Sequence, residues 1–240
     1  MRTRTLLLTW LACLAAAPAA SSQTVQSQTV VELFTSQGCS SCPAADALLK
    51  TYTERPGFIA LSFSVDYWDH LGWKDTLASP KNSARQKSYA KALGTGNVYT
   101  PQLVINGAAQ VIGSNKVEIE KAVAKLRKDQ AGGPVTVAAA NDGKRVTIEI
   151  AAGATGVGAT VWLAVVSPLV EVDIKRGENR GRTIAYHNVV REISPVGMWS
   201  GQAMRIELPA NAVMKDGDRC AVMLQADNGG RILGAAWMTP

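Results

Sequence analysis

At 240 residues, with 47% hydrophobic, 18% charged and 6% aromatic residues, the chain has a globular composition. It is too apolar for a disordered chain and too evenly mixed for a coiled coil or collagen, and its length can bury a substantial core in one large domain or two small ones. The net charge of +6 is modest and implies no nucleic-acid partner.

Arg2 and Arg4 precede an apolar stretch from Leu6 to Ala17, and Ala17-Pro18-Ala19 has the small-x-small form of a cleavage site. That stretch is shorter than the roughly 20 residues a spanning helix needs. Residues 1–19 therefore read as a cleavable signal peptide, and the protein as periplasmic or secreted. Cys13 does not mark a lipoprotein, because Trp10 stands where such signals carry a small aliphatic residue. Cleavage leaves 23 basic and 19 acidic residues, a net charge of +4, and no later segment reads as transmembrane. Three cysteines remain, Cys39, Cys42 and Cys220. An adjacent pair with one distant single is not a multi-bridge framework.

Thr29 to Thr35 reads as a buried strand, rich in β-branched and aromatic residues. A helix follows from about Pro43 to Glu54, with Ala45, Leu48, Leu49 and Tyr52 on one face, and Pro56-Gly57 stops it. Phe58 to Val65 alternates as a second strand. An aromatic, acidic loop runs from Asp66 to Asp75. Ser79-Pro80 gives the N-cap and first position of another helix, which Gly94 ends. After Thr100-Pro101, Leu103 to Ile105 and Ala109 to Ile112 form a hairpin about Asn106-Gly107. A last helix follows Ser114 or Asn115, striped by Ile119, Ala122, Val123 and Leu126.

Past Ala131-Gly132-Gly133-Pro134 the helical period disappears. Short apolar runs separated by turn signals fill the rest: Val135–Ala140, Val146–Ala151, Thr160–Val166, Thr183–Val190, Met204–Leu208, Cys220–Gln225 and Ile232–Met238. The reading is an α/β domain over residues 24–131, followed by an antiparallel sandwich-like domain over residues 134–240.

Chemistry centres on Cys39-Ser40-Ser41-Cys42, between a strand end and a helix start. Cysteines at i and i+3 can close into a disulfide with little backbone movement. Cys39, placed over free N–H groups at the positive helix end, is the expected nucleophile; Cys42, deeper in the helix, is the expected resolving thiol.

Together with Thr100-Pro101, placed just before a strand, the motif resembles the thioredoxin superfamily, in which a cis-proline step faces the CxxC pair and offers backbone to substrate. Over VELFTSQGCSSCPAAD, SVDYWDHLGW, VYTPQLVING and GENRGRTIAYHNVVRE the chain is similar to a secreted bacterial family, domain of unknown function 1223. The resemblance implies an α/β thioredoxin-like domain followed by an all-β sandwich-like domain. It implies thiol–disulfide exchange with protein or small-molecule thiols and disulfides, without an organic cofactor. It offers Glu32 as stand-in for the buried acid that moves the resolving thiol's proton, one residue further from the first cysteine than in thioredoxins. Both residues between the cysteines are serine, which carries no charge to lower a thiol pKa.

Other readings stand beside this one. The alternative is a structural disulfide in a non-catalytic binding or scaffold protein. Pro43 excludes c-type haem attachment, and a metal held by the three cysteines would draw on His70 or His187, from different domains. Cys220, in an apolar strand, reads as a packed thiol. Asp66, Asp69 and Asp75 lack the spacing of a calcium loop and read as solvated, with Tyr67, Trp68 and Trp73 packing on the site's edge or the second domain. Lys175 to Arg182 reads as a solvated basic hairpin.

Overall fold

Strand β1 (Thr29–Thr35) is buried along its whole length because both of its faces are covered. Val31 and Leu33 meet helix α1 (Pro43–Thr53), strand β2 (Phe58–Ser64) and helix α3 (Lys116–Lys128), while Val30 and Phe34 point into a second core on the other side. The helices form where expected. In α1, Ala45, Leu49 and Tyr52 lie one turn apart on the buried face. Helix α2 (Pro80–Ala92) is capped by the Ser79 hydroxyl, which accepts from Lys81 N at 3.2 Å, and Asn115 caps α3 by accepting from Glu118 N at 3.2 Å.

The computed structural model describes residues 28–129, 133–153, 156, 158–215 and 217–240. The expected signal peptide and residues 131–132 of the expected domain boundary lie outside the described residues.

Strands β3 (Gln102–Ile105) and β4 (Ala109–Ile112) complete the first half. The second half contributes β5 (Val137–Asn141), β6 (Arg145–Ile150), β7 (Ala159–Asp173), β8 (Thr183–Trp199), β9 (Met204–Pro209), a short helix α4 (Ala210–Val213), β10 (Arg219–Ala226) and β11 (Ile232–Trp237). These do not form a separate sandwich. Eight strands make one mixed sheet in the order β11-β10-β7-β8-β2-β1-β3-β4, and β5-β6-β9 form a small second sheet. The two halves join where Ser62 of β2 pairs in parallel with Val189 of β8.

This corrects the expected fold class. The chain is mostly β, built on a large mixed sheet with helices α1, α2 and α3 and the single turn of α4, rather than an α/β thioredoxin-like domain followed by an all-β sandwich-like domain. The physical reason is a shared core. Phe34, Ile59, Phe63 and Val104 from the first half pack in one cluster with Ala164, Val166, Met223 and Ala235 from the second. Ile232 N also donates to Asn106 O at 2.9 Å, tying the start of β11 to the β3–β4 turn. The small sheet covers the other face of β7 and β10 through Val146, Ile148 and Ile150 against Val161, Val222 and Trp199.

Beyond the sheet, β7 and β8 continue as a two-stranded ribbon. The pairing of β7 with β10 ends at Val166, whereas its pairing with β8 runs on to Asp173 and Thr183. Ile174, Ile184 and Tyr186 bury this ribbon against Leu77 and Val189.

Candidate functional site

The segment after β1 turns twice before α1 begins. Cys39 N donates to Ser36 O and Cys42 N to Cys39 O, each at 3.2 Å, and Cys42 O accepts from Ala45 N and Asp46 N at 2.8 and 3.0 Å. Cys42 is therefore the N-cap, and Pro43 takes the first helical position, where a missing N–H leaves nothing unsatisfied. Cys39 and Cys42 are joined in a disulfide with their Cα atoms 5.4 Å apart. Cys39 lies one turn ahead of the helix rather than within it, and Cys42 is at the helix entrance rather than deep inside. Both are buried, at 1% and 0% exposure, while Ser40 and Ser41 face outward. The Ser41 hydroxyl lies 3.4 Å from Cys39 Sγ and is the donor there, since a bridged sulfur carries no hydrogen.

Three distant segments converge on the pair. The first is the aromatic, acidic loop, stitched to the motif by Gln37. Gln37 N donates to Asp75 Oδ2 at 2.8 Å, and its side-chain oxygen accepts from Trp73 Nε1 at 2.8 Å and from Thr76 N at 3.3 Å. Asp75 is thus buried rather than solvated, accepting also from Leu77 N at 2.8 Å. Its pKa is raised, chiefly by burial, with Asp69 adding to the effect against the hydrogen bonds.

The second segment is Thr100-Pro101, whose peptide bond is cis. The Thr100 hydroxyl accepts from Trp68 Nε1 at 2.8 Å, and Trp68 Cβ stands 3.1 Å from where a side chain on Gly38 would begin. Trp68 therefore bridges the proline step to the residue preceding Cys39. On the other side, Pro101 and Ala45 of α1 both pack on Gly113, where any Cβ would meet Leu33 Cδ1 at 2.6 Å. Gln86 of α2 holds the same step from behind, donating to Tyr99 O and Gln102 Oε1, each at 2.8 Å.

The third segment is the tip of the β7–β8 ribbon, the run expected to be a solvated hairpin. Asn179 Nδ2 donates to Gln37 O at 3.0 Å and to Cys39 O at 2.8 Å, and Glu178 Oε2 accepts from Ser40 N at 3.1 Å. Its cations remain exposed, while Asn179 is buried against the main chain of Gln37 and Cys39.

Cys39 and Cys42 are bonded to each other, Thr100-Pro101 is linked to the cysteine loop through Trp68 and to α1 about Gly113, and Glu32 stands apart. Glu32 faces α2, where its carboxylate takes Arg85 Nε at 2.6 Å and the Tyr89 hydroxyl. The buried acid nearest the pair in sequence is Asp46, one helical turn beyond Cys42. Its pKa is raised to about 8, first by burial and then by Asp75, with the Thr35 hydroxyl working against the shift. Among the described residues Asp46 Oδ2 and the Tyr186 hydroxyl have no hydrogen-bond partner. Burial and the carboxyl groups of Asp46 and Asp75 raise the Tyr186 pKa as well. Asp46, Gln37 and Asn179 all stand inside the quoted motifs. An acid at i+4 from Cys42 was the available signal for Asp46; nothing local signals the other two.

Cys220 is a free, buried thiol on β10. His187 lies on β8, its pKa lowered by burial and by Lys50, and His70 Nδ1 is 2.9 Å from Tyr67 O. Among the described residues no group of three or more His, Cys, Asp or Glu side chains is placed to hold a metal ion. No helix among them is long and apolar enough to cross a membrane.

A crystal structure of an Agrobacterium tumefaciens protein from a structural genomics programme is similar at 39% identity and a TM-score of 0.78, over 88% of this chain and 93% of that one. HBP35 of Porphyromonas gingivalis shares the fold at 12% identity and a TM-score of 0.61, over 88% of this chain and 74% of that one. No curated protein matches the sequence. A family described as protein of unknown function (DUF1223) matches residues 30–225, and the chain belongs to that family.

Proposed function

We propose that the protein is an exported thiol–disulfide oxidoreductase whose Cys39–Cys42 pair exchanges disulfides with protein or small-molecule thiols. The observation that carries this reading is a CxxC disulfide at a helix entrance, with the cis Thr100-Pro101 step tied to the same loop through Trp68. The local likeness to thioredoxin-superfamily sites supports it, and residues 1–19 support export to the periplasm or beyond.

In the reducing direction for the pair, a substrate thiolate attacks Cys39 Sγ, the Cys39–Cys42 bond breaks, and Cys42 leaves as a thiolate that takes up a proton. A second substrate thiolate then attacks the mixed disulfide and releases Cys39. The substrate ends as a disulfide and the protein as a dithiol; the reverse sequence oxidises the protein. Backbone at the helix entrance favours a thiolate on the departing sulfur.

The burial of both cysteines favours a second reading, a structural disulfide in a binding or scaffold protein. Trapping separates the two. Cys42→Ser, expressed with its own leader, should accumulate covalent complexes that run high on a non-reducing gel and vanish with reductant. Cys39→Ser should trap far fewer. Equal loss of stability in both variants with no trapped species establishes the structural reading instead.

A further inference from the structure

Exchange needs a sulfur to approach Cys39 in line with the bond it breaks, yet Cys39 is 1% exposed. The ribbon tip is tied to the main chain on both sides of Cys39. Asn179, itself 1% exposed, spans two main-chain carbonyls, Gln37 O at 3.0 Å and Cys39 O at 2.8 Å. Glu178 adds a carboxylate on Ser40 N at 3.1 Å. Gly177, at φ +77°, lies against Trp73, whose Cβ is 3.2 Å from the position a Gly177 Cβ would take. The tip therefore reaches the motif, and of its two glycines Gly177 is the one against Trp73. It is also separable from the sheet. Beyond Val189, which pairs with Ser62 of β2, β7 and β8 pair only with each other from Leu169 and His187 outward, so the tip can lift without breaking any other strand pairing.

We propose that the tip of the β7–β8 ribbon, Gly177–Arg180, is a cap seated on the partner-binding face of the Cys39–Cys42 pair, and that an extended acidic polypeptide displaces it during exchange. The proposal rests on the oxidoreductase reading of that pair. Its chemistry follows from what the cap satisfies. When the tip lifts, two carbonyls lose a donor and one N–H loses an anionic acceptor. A polypeptide backbone supplies donors to those carbonyls, and an acidic side chain replaces the Glu178 carboxylate. The exposed cations of the tip favour the same charge. Lys175 is held by Asp173 at 3.2 Å and Arg182 by Asn179 Oδ1 at 3.3 Å, while Arg180, at the end of the cap, and Arg176, just before it, stand exposed.

The test is the rate at which dithiothreitol reduces the disulfide of the purified, folded protein, followed by alkylation of the new thiols. One dithiothreitol thiolate attacks Cys39, Cys42 leaves as a thiolate that takes up a proton, and the second dithiothreitol sulfur, deprotonated, closes the ring and releases Cys39. Asn179→Ala removes both latch bonds and should speed reduction by about tenfold. Glu178→Gln keeps the shape, weakens one contact, and should speed it by about twofold. Val146→Ala, in the core under the small sheet, controls for general loosening. Unchanged rates in both tip variants, or an equal acceleration in the Val146 variant, overturn the cap.

The partner's charge is read with two reduced single-cysteine peptides, one flanked by glutamates and one by lysines. The acidic peptide should form mixed disulfide with the native protein several-fold faster, and the difference should shrink when Arg176 and Arg180 are both changed to Ala. Equal rates overturn the acidic partner. Trapping by Cys42→Ser reports independently: a faster Asn179→Ala reduction with no trapped partner leaves the tip as a cover and overturns exchange.

Discussion

Arg85 Nε lies 2.6 Å from Glu32 Oε1, with the two side chains only 8% and 0% exposed. The rest of the guanidinium is occupied as well. Its Nη2 donates to the Tyr89 hydroxyl at 2.8 Å, its Nη1 to Gln225 Oε1 at 3.1 Å, and its plane lies over the rings of Phe63 and Trp162. Tyr89 in turn donates to Glu32 Oε2. One cation thus ties β1, α2 and β10 together inside the core that the two halves share.

Removing one partner of such a pair leaves a buried charge with nothing to balance it. Glu32→Ala should cost about 3–5 kcal/mol in urea unfolding, and Glu32→Leu with Arg85→Met should recover most of that loss. Neither change should alter partner trapping by the Cys42→Ser protein beyond what the lost stability explains. A Glu32→Gln protein that kept its stability but lost exchange would return the proton role to this residue.

The local elements were legible for good physical reasons. β1 came out at Thr29–Thr35 and β4 at Ala109–Ile112, because turn residues and apolar runs bound them sharply. The CxxC motif and the proline step were legible as a pair. Pairing between halves was not. Periodicity tells which face of β7 is apolar, but not that β8 will lie beside β2. Both long strands also outrun their apolar runs, Thr160–Val166 and Thr183–Val190: β7 continues past Pro168 to Asp173, and β8 past Pro195 to Trp199, with shifts of register. The charged tip followed from the same blind spot. Its composition is that of a solvated turn, and only the ribbon's reach brings Asn179 to Cys39.

Cys220 offers a test of accessibility that is independent of the redox pair. Burial, with Asp218 adding to it, pushes its pKa to about 11, so little thiolate forms at neutral pH. In the folded, oxidised protein a thiol reagent such as dithionitrobenzoate should give almost no signal at pH 8, rising to one thiol per chain in denaturant. Cys220→Ala should remove that signal, cost about 1 kcal/mol through the small void left beside Val222 and Leu224, and leave trapping unchanged. Rapid labelling of the native thiol would show that β10 opens readily.

Asp46 makes the strongest pH-dependent prediction. Its carboxyl titrates at about 8 when folded, against 3.8 for the ordinary group, because burial penalises the charged form and Asp75 lies nearby. Between those values the folded chain holds a proton that the unfolded chain has released. Stability contributed by this group is therefore greatest at acid pH and falls as pH rises from about 4 to about 8, by up to about 1.4 kcal/mol per pH unit, then levels off. Asp75 shifts in the same direction, so the readout is the difference between native protein and variant. Asp46→Asn keeps the shape without a titrating group. Urea unfolding of the oxidised proteins should show the variant gaining on the native chain as pH rises from about 5 to about 8. A difference that stays constant over that range would mean that Asp46 is charged in the folded protein, and that its unpartnered Oδ2 finds a donor in solution.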